Sequence, residues 1–278
     1  MLSIAISDLI DLALREDIGT GDITSESTIP ENVMAKAIIL SKDEGIIAGL
    51  DIAGEVFHKI DPNIDYKKLI SDGDMITKKQ EIAIVEGKAR SLLTAERTVL
   101  NFIQRLSGVA TITSRYAKAV SGYKAKIVDT RKTTPGWRAL EKYAVRIGGG
   151  GNHRFGLYDA VLIKDNHIAV AGSITEAIAR AKKQIPHTIK IEVETENLDQ
   201  VQESIQAKAD IIMLDNMTID MMSKAVKLID GKAIVEASGG IKLENVASVA
   251  ETGVDLISIG AITHSAISLD ISMDIILR

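Results

Sequence analysis

From Lys126 onward the apolar positions switch repeatedly between two periods. Short β-branched runs cover Lys126 to Asp129, Ala160 to Ile163, Ile189 to Val193, Asp210 to Leu214, Ala233 to Ala237 and Asp255 to Ile259, and they read as buried strands. Between them, Ser173 to Gln184, Leu198 to Ala207, Ile219 to Leu228 and Leu243 to Glu251 place Ile, Val and Ala at helical spacing among Lys and Glu. Strand, helix, strand at this repeat predicts linked βαβ units around a parallel sheet. Closure of that sheet gives a TIM-like, incomplete α/β barrel over residues 111–265.

The first 110 residues follow another pattern. A helix is expected from Ile4 to Arg15, then turn and cap residues at Asp17 to Thr24, and strand-like alternation at Met34 to Leu40 and Ile82 to Val85. Ser71 to Asp74 reads as a turn, and a long helix runs from Ser91 through Arg105 to Tyr116. The stretch Gly73 to Ile82 is similar to biotinyl or lipoyl carrier hairpins, but no lysine sits at a clear tip, so its role is structural. These elements predict an α+β sandwich domain over 1–110, joined by the C-terminal tail 266–278.

Composition narrows the class. With 46% hydrophobic and only 3% aromatic residues among 278, the chain can bury a large core rich in Ile, Val and Ala. A formal charge of -5 argues against a nucleic-acid partner. No apolar run approaches the ~20 residues that span a bilayer, and Met1 to Asp8 lack a basic flank, so a cytoplasmic protein without a membrane partner is expected. Zero cysteines exclude disulfides and thiolate zinc sites. A metal would be held by oxygen or imidazole, which suits Mg²⁺.

In this acidic chain, cations gather at the predicted strand ends. Arg131 and Lys132 follow Asp129, Asn152-His153-Arg154 follows the four glycines Gly148 to Gly151, and Lys164 precedes Asp165-Asn166-His167. Arg offers a planar fork for carboxylate or phosphate, Lys a point charge, and glycine a closely approachable backbone. The set points to a small polyanion: a phosphorylated sugar, a dicarboxylate, or both. Glu192 and Glu194 share one strand face, and Asp215 ends the next strand. Glu194 and Asp215 suit a Mg²⁺-bound anion, whereas Glu192 is open between that role and a structural pairing with Lys190 or Lys164. Ser238-Gly239-Gly240 and Gly260-Ala261 match the strand-end phosphate site of barrels, though a tight turn explains them equally. His58 and His187 read as bystanders, and His167 and His264 as capping or core residues. Arg97, beside Glu96, reads as a surface ion pair.

Taken in order along the chain, several pieces resemble the quinolinate phosphoribosyltransferase family. They are Asp17 to Thr24, Glu96 to Thr111, Asp129 to Gly136, Lys142 to Val145, Gly148 to Arg154, Ile163 to His167, Glu192 to Glu194, Leu214 to Asn216, Glu236 to Ile241 and Gly253 to Asp255. The resemblance implies transfer of phosphoribosyl from 5-phosphoribosyl 1-pyrophosphate to quinolinate, releasing CO₂ and pyrophosphate to give nicotinate mononucleotide for NAD, with Mg²⁺. It implies that Arg131, His153, Arg154 and Lys164 surround the quinolinate carboxylates. Lys132, Glu194, Asp215, Ser238, Gly239, Gly240, Gly260 and Ala261 would handle the phosphoribosyl donor and its metal, with Glu194 and Asp215 as ligands. Lys132, Lys164, Glu194 and Asp215 are the implied catalytic set. Arg97 would come from the other subunit, making a homodimer obligatory and leaving larger assemblies open. Trp137 and Ile147 depart from the family pattern without removing a charge. Two rivals are a molybdate-operon relative of the same fold and a non-catalytic anion-binding barrel.

Overall fold

A computed structural model of the chain describes residues 4–277; Met1 to Ser3 of the opening segment and Arg278 of the expected tail lie outside them. Two compact units emerge. The first holds the chain up to Ser114 with Thr134–Gly149 and the segment from Ser265, and the second holds Arg115–Thr133 with Gly150–His264.

In the first unit, strands numbered along the chain are β1 (Met34–Ser41), β2 (Gly45–Ile46), β3 (Asp65–Lys68), β4 (Met75–Ile76) and β5 (Glu81–Lys88), with β12 (Ile271–Leu277) from the far end. An antiparallel sheet runs in the order β12, β1, β5, β3, while β2 and β4 form a small separate ladder. Along β1, Ala35, Ala37, Ile39 and Ser41 are buried and their neighbours are not, the period of two expected of a half-covered sheet. The helix Ala89–Ala119 buries Leu92, Ala95, Val99, Phe102, Ile103 and Leu106 at three- and four-residue spacing.

Residues 111–265 do not pack as one contiguous body, because the helix Arg138–Ile147 joins the first unit. Its anchors are specific. Trp137 stacks on Phe102 with ring centroids 4.8 Å apart, and fully buried Glu141 accepts from Arg105 Nη2 at 2.8 Å and from Thr134 N at 3.0 Å. Arg105 Nη1 also donates to the Ala266 carbonyl at 2.6 Å, tying down the tail.

The second unit is a six-stranded parallel sheet made of β6 (Lys126–Val128), β7 (Val161–Ile163), β8 (Ile191–Thr195), β9 (Ile211–Asp215), β10 (Ile234–Ser238) and β11 (Leu256–Ser258). Its order is β6, β11, β10, β9, β8, β7: every neighbour is consecutive in the chain except that the first strand pairs with the last. That is the order of a barrel, open between β6 and β7. The opening is lined by the glycine loop, whose Gly151 N–H donates to Ile127 O at 2.8 Å and whose Gly151 carbonyl accepts from Asp129 N at 3.2 Å. Side chains of Ser173, Asn197 and Thr218 cap the helices Ile174–Gln184, Leu198–Gln206 and Ile219–Ile229. Strand β8 lies two residues later than its hydrophobic run suggests, so Glu194 sits inside it. Among the described residues no helix is long and apolar enough to cross a membrane.

Removing Arg105 would leave the buried Glu141 carboxylate facing fewer donors. Arg105→Ala is expected to lower unfolding free energy by about 3 kcal/mol, the usual loss when a buried pair is broken. Chemical denaturation measures it; a loss under about 1 kcal/mol would mean Glu141 is satisfied without Arg105.

Candidate active site

Because all six strands of the second unit run the same way, their C-terminal ends present side chains to one mouth. Alternation then selects which residues face inward: Leu162 and Lys164, Glu194, Met213 and Asp215, Glu236 and Ser238, Ser258 and Gly260 all line one cavity of about 650 Å³. Thr130, Arg131 and Lys132 enter from the end of β6, and His153 and Arg154 from the loop filling the opening. Gly239, Gly240 and Ala261 complete the rim, so the structure brings together every expected site residue except Arg97. Arg97 lies in the first unit, exposed on the long helix, and among the described residues it makes no ion pair, with Glu96 or otherwise.

Local contacts explain the positions. Lys132 donates its N–H to Thr130 Oγ1 at 3.0 Å, and its carbonyl accepts from Thr263 Oγ1 at 2.7 Å. A Cβ at Gly260 would lie 3.1 Å from Lys132 Cδ, so the glycine leaves room for that side chain. Gly239 has φ 88°, and a Cβ there would come within 2.2 Å of Asn216 Oδ1. Glycine is required at that turn. Lys164 Nζ pairs with Glu194 Oε2, and Asp215 Oδ2 accepts from Asn216 Nδ2 at 2.7 Å.

Two guanidiniums share this space. Burial, and then the neighbouring Arg131, push the Arg154 guanidinium below its ordinary range, while Glu192 and Asp159 act the other way. Arg154 Nη1 is held by the Ala160 carbonyl at 3.0 Å. Crowded cations in a partly desolvated pocket favour a ligand with several negative charges.

Deeper in the barrel lies an acidic layer, in which the sequence points to Glu192 but not to Glu236. His153 Nε2 is 2.9 Å from Glu192 Oε2 and 3.6 Å from Glu236 Oε1, and both glutamates are at most 2% exposed. His153 Nδ1 accepts from the Arg154 N–H at 2.7 Å, which places the ring proton on Nε2, toward the carboxylates. Both ring nitrogens are therefore engaged within the protein. Asn152 also departs from expectation: its amide donates to Asp129 at 2.7 Å and does not line the main cavity. His167 caps instead, accepting from Lys164 N at 3.0 Å, and His264 lines the cavity. Glu192 pairs with neither Lys190 nor Lys164 but with His153.

The family model for the C-terminal domain of quinolinate phosphoribosyl transferase matches residues 109–274, and the model for its N-terminal domain matches residues 22–107. The chain belongs to the quinolinate phosphoribosyltransferase family. Another member, the Bacillus subtilis protein named "Probable nicotinate-nucleotide pyrophosphorylase (carboxylating)", is 50% identical over 277 residues, covering 100% of this chain and 96% of that one. Among solved structures, NadC from Streptococcus pyogenes is 40% identical with a TM-score of 0.97, covering 100% of this chain and 99% of that one. The nicotinate-nucleotide pyrophosphorylase from Francisella tularensis is 46% identical with a TM-score of 0.94, covering 98% and 96%. Both quinolinate phosphoribosyltransferase domains are thus present over nearly the whole chain.

Burial, then the adjacent Glu192, raise the Glu236 carboxyl from its ordinary 4.5 to about 7, with His153 opposing. The folded chain therefore holds a proton there that the unfolded chain releases. The stability this proton contributes is present below pH 4.5 and is lost as pH rises through about 7. Glu236→Gln, which cannot ionise, should flatten that slope, so that the variant gains on the wild type by about 1 to 3 kcal/mol between those limits. Parallel stability curves from pH 4 to 8, taken by denaturant titration, would refute the assignment of the proton.

Proposed function

We infer that this chain transfers the phosphoribosyl group of 5-phosphoribosyl 1-pyrophosphate to the ring nitrogen of quinolinate, with loss of CO₂. The products are nicotinate mononucleotide and pyrophosphate, a step of de novo NAD biosynthesis. The observation that carries the reading is the pair of neighbouring guanidiniums, Arg131 and Arg154, in one cavity with Lys132 and Lys164. Quinolinate brings two adjacent carboxylates, and two planar forks meet them better than any single cation could.

In this reading Arg131, Arg154 and Lys164 hold quinolinate, with His153 setting the floor. Lys132, the Ser238-Gly239-Gly240 turn and Gly260-Ala261 receive the phosphates of the donor. Breaking the bond from ribose to pyrophosphate leaves positive charge on the sugar and negative charge on the leaving group. Glu194 and Asp215 stabilise the first, and Lys132 the second. No protein nucleophile is needed. The donor set of Glu194 and Asp215 fits Mg²⁺, which binds through one or two carboxylates together with waters and substrate phosphates. When bound, Mg²⁺ would neutralise the pyrophosphate.

Arg97 is assigned to the site of a second subunit, because it is an exposed cation with no ion-pair partner among the described residues of its own chain. A homodimer with two shared sites follows from two-fold symmetry. We place the reaction in the cytoplasm.

Purified protein given quinolinate, 5-phosphoribosyl 1-pyrophosphate and Mg²⁺ should form nicotinate mononucleotide and CO₂ in equal amounts, with nicotinate a poor substitute. Arg131→Ala or Arg154→Ala should raise KM for quinolinate about 10- to 100-fold, the loss of one charged hydrogen-bonded contact. Glu194→Gln and Asp215→Asn should each raise the Mg²⁺ needed for half-maximal rate. No turnover by the wild type would overturn the assignment, and unchanged Mg²⁺ titrations would remove the metal role.

Mixing Arg97→Ala with Lys164→Ala subunits, each inactive alone, should restore activity to about half of wild type per heterodimer, since one of its two sites carries neither change. If subunit exchange is shown by native mass spectrometry and activity stays absent, Arg97 serves no partner site.

A further inference from the structure

Loss of CO₂ from the ring leaves an electron pair on the carbon beside the ring nitrogen, and a proton must take its place. The reaction so proposed names no group that supplies it. The site's cations are ill suited: Lys164 is paired with Glu194, Lys132 serves the phosphates of the donor in the functional reading, and an arginine does not release its proton. We propose that Glu236 is the proton donor to that carbon, and that it is recharged by water from a second cavity on the far side of the barrel.

The proposal rests on the functional reading above, and three observations support it. First, Glu236 is the third residue of β10, inward-facing and 1% exposed, and its Oε1 accepts no hydrogen bond. A buried carboxyl oxygen left without a donor is costly as a carboxylate and comfortable as an acid. Second, the neighbouring Glu192 accepts from His153 Nε2 at 2.9 Å, whereas Glu236 Oε1 lies 3.6 Å from that nitrogen, so the imidazole is committed to the other glutamate. The charged groups that face Glu236 are Glu192, His153 and Asp129, with Arg154 on the same cavity wall, and among these the glutamate and aspartate keep its proton on. Third, Glu236 lines two cavities. One is the main site, and the other, about 360 Å³, is bounded by residues at the strand starts, including Ile211 and Leu256, and reaches the exposed side chains of Asp159, Thr188 and Lys190. Water entering there reaches Glu236 while substrates fill the mouth.

The step balances. The bond from the ring carbon to its carboxylate breaks, CO₂ departs, and the electron pair left on carbon takes the Glu236 proton to form the C–H bond. Glu236 becomes a carboxylate and is reprotonated by solvent, so one proton is consumed per turnover with no change of oxidation state elsewhere. Phosphoribosyl transfer precedes this and does not use Glu236.

The test separates the two halves of the reaction in Glu236→Gln, which keeps size and shape without a carboxyl proton. In a rapid-quench experiment, pyrophosphate should be released once per site at close to the wild-type rate. CO₂ release and nicotinate mononucleotide formation should fall about 100-fold, the lower range for loss of a general acid. The dicarboxylated nucleotide then accumulates to one equivalent per site. KM for both substrates should not rise, since slowing a step after the burst can only lower it, and the fall of wild-type kcat above pH 7 should vanish in the variant. Glu236→Asp, which retains a proton to give, should recover part of the CO₂ step and its alkaline limb, and it serves in place of the glutamine variant if that fails to fold. Equal loss of pyrophosphate and CO₂ release, or equal retention of both, would overturn the proposal. Failure of the wild type to use quinolinate at all would instead overturn the functional reading.

Discussion

Like charges held close together in a partly dry space dominate this molecule. At an effective dielectric of about 20, two unit charges 4 Å apart interact by about 4 kcal/mol, comparable to a large share of a domain's net stability. The barrel meets this constraint twice, with opposite sign. Arg131 and Arg154 crowd one another at the mouth, and Glu192 and Glu236 do so one layer deeper, with His153 between them. The deeper layer is settled within the protein by a histidine and a retained proton. At the mouth the proposed function gives that part to a polyanionic substrate.

Much of this was legible in the sequence because parallel strands impose two simple rules. Every strand delivers its last residue to the same edge, and alternate residues share a face. Strand ends read from β-branched runs therefore placed Arg131, Lys164, Asp215 and Ser238 together without any knowledge of their partners. Errors of one or two residues in strand position did little harm, since Glu194 belonged to the inward set whether it ended β8 or lay inside it. The barrel is legible too, from the alternation of short β-branched runs with helical stretches.

What escaped was pairing and long-range packing. Nothing near Asn152 in sequence says that its amide turns to Asp129, nor that His153 spends both nitrogens on a backbone N–H and a glutamate. Those partners lie on other strands. Glu236 looked like part of a Glu-Ala-Ser-Gly-Gly motif, and only burial beside Glu192 marks it as unusual. Chain order alone puts the helix Arg138–Ile147 in the barrel, yet an ion pair from Glu141 to Arg105 and the stacking of Trp137 on Phe102 tie it to the first unit. Arg97 is the converse: local sequence offered Glu96 as a partner, and the helix leaves that arginine exposed without it.

The edge strand β12, contributed by the last residues of the chain, has a consequence for biosynthesis. As the protein emerges from the ribosome, β1 can pair with β5 as soon as both are out, but its other edge has no partner until Ile271–Leu277 is synthesised. Almost the entire barrel must be made in that interval. Seven residues of open backbone edge, from Ala35 to Ser41, are meanwhile available to any extended chain nearby. Nascent chains of this protein should thus depend on chaperone cover late in translation, and any truncation short of residue 271 would make that exposure permanent.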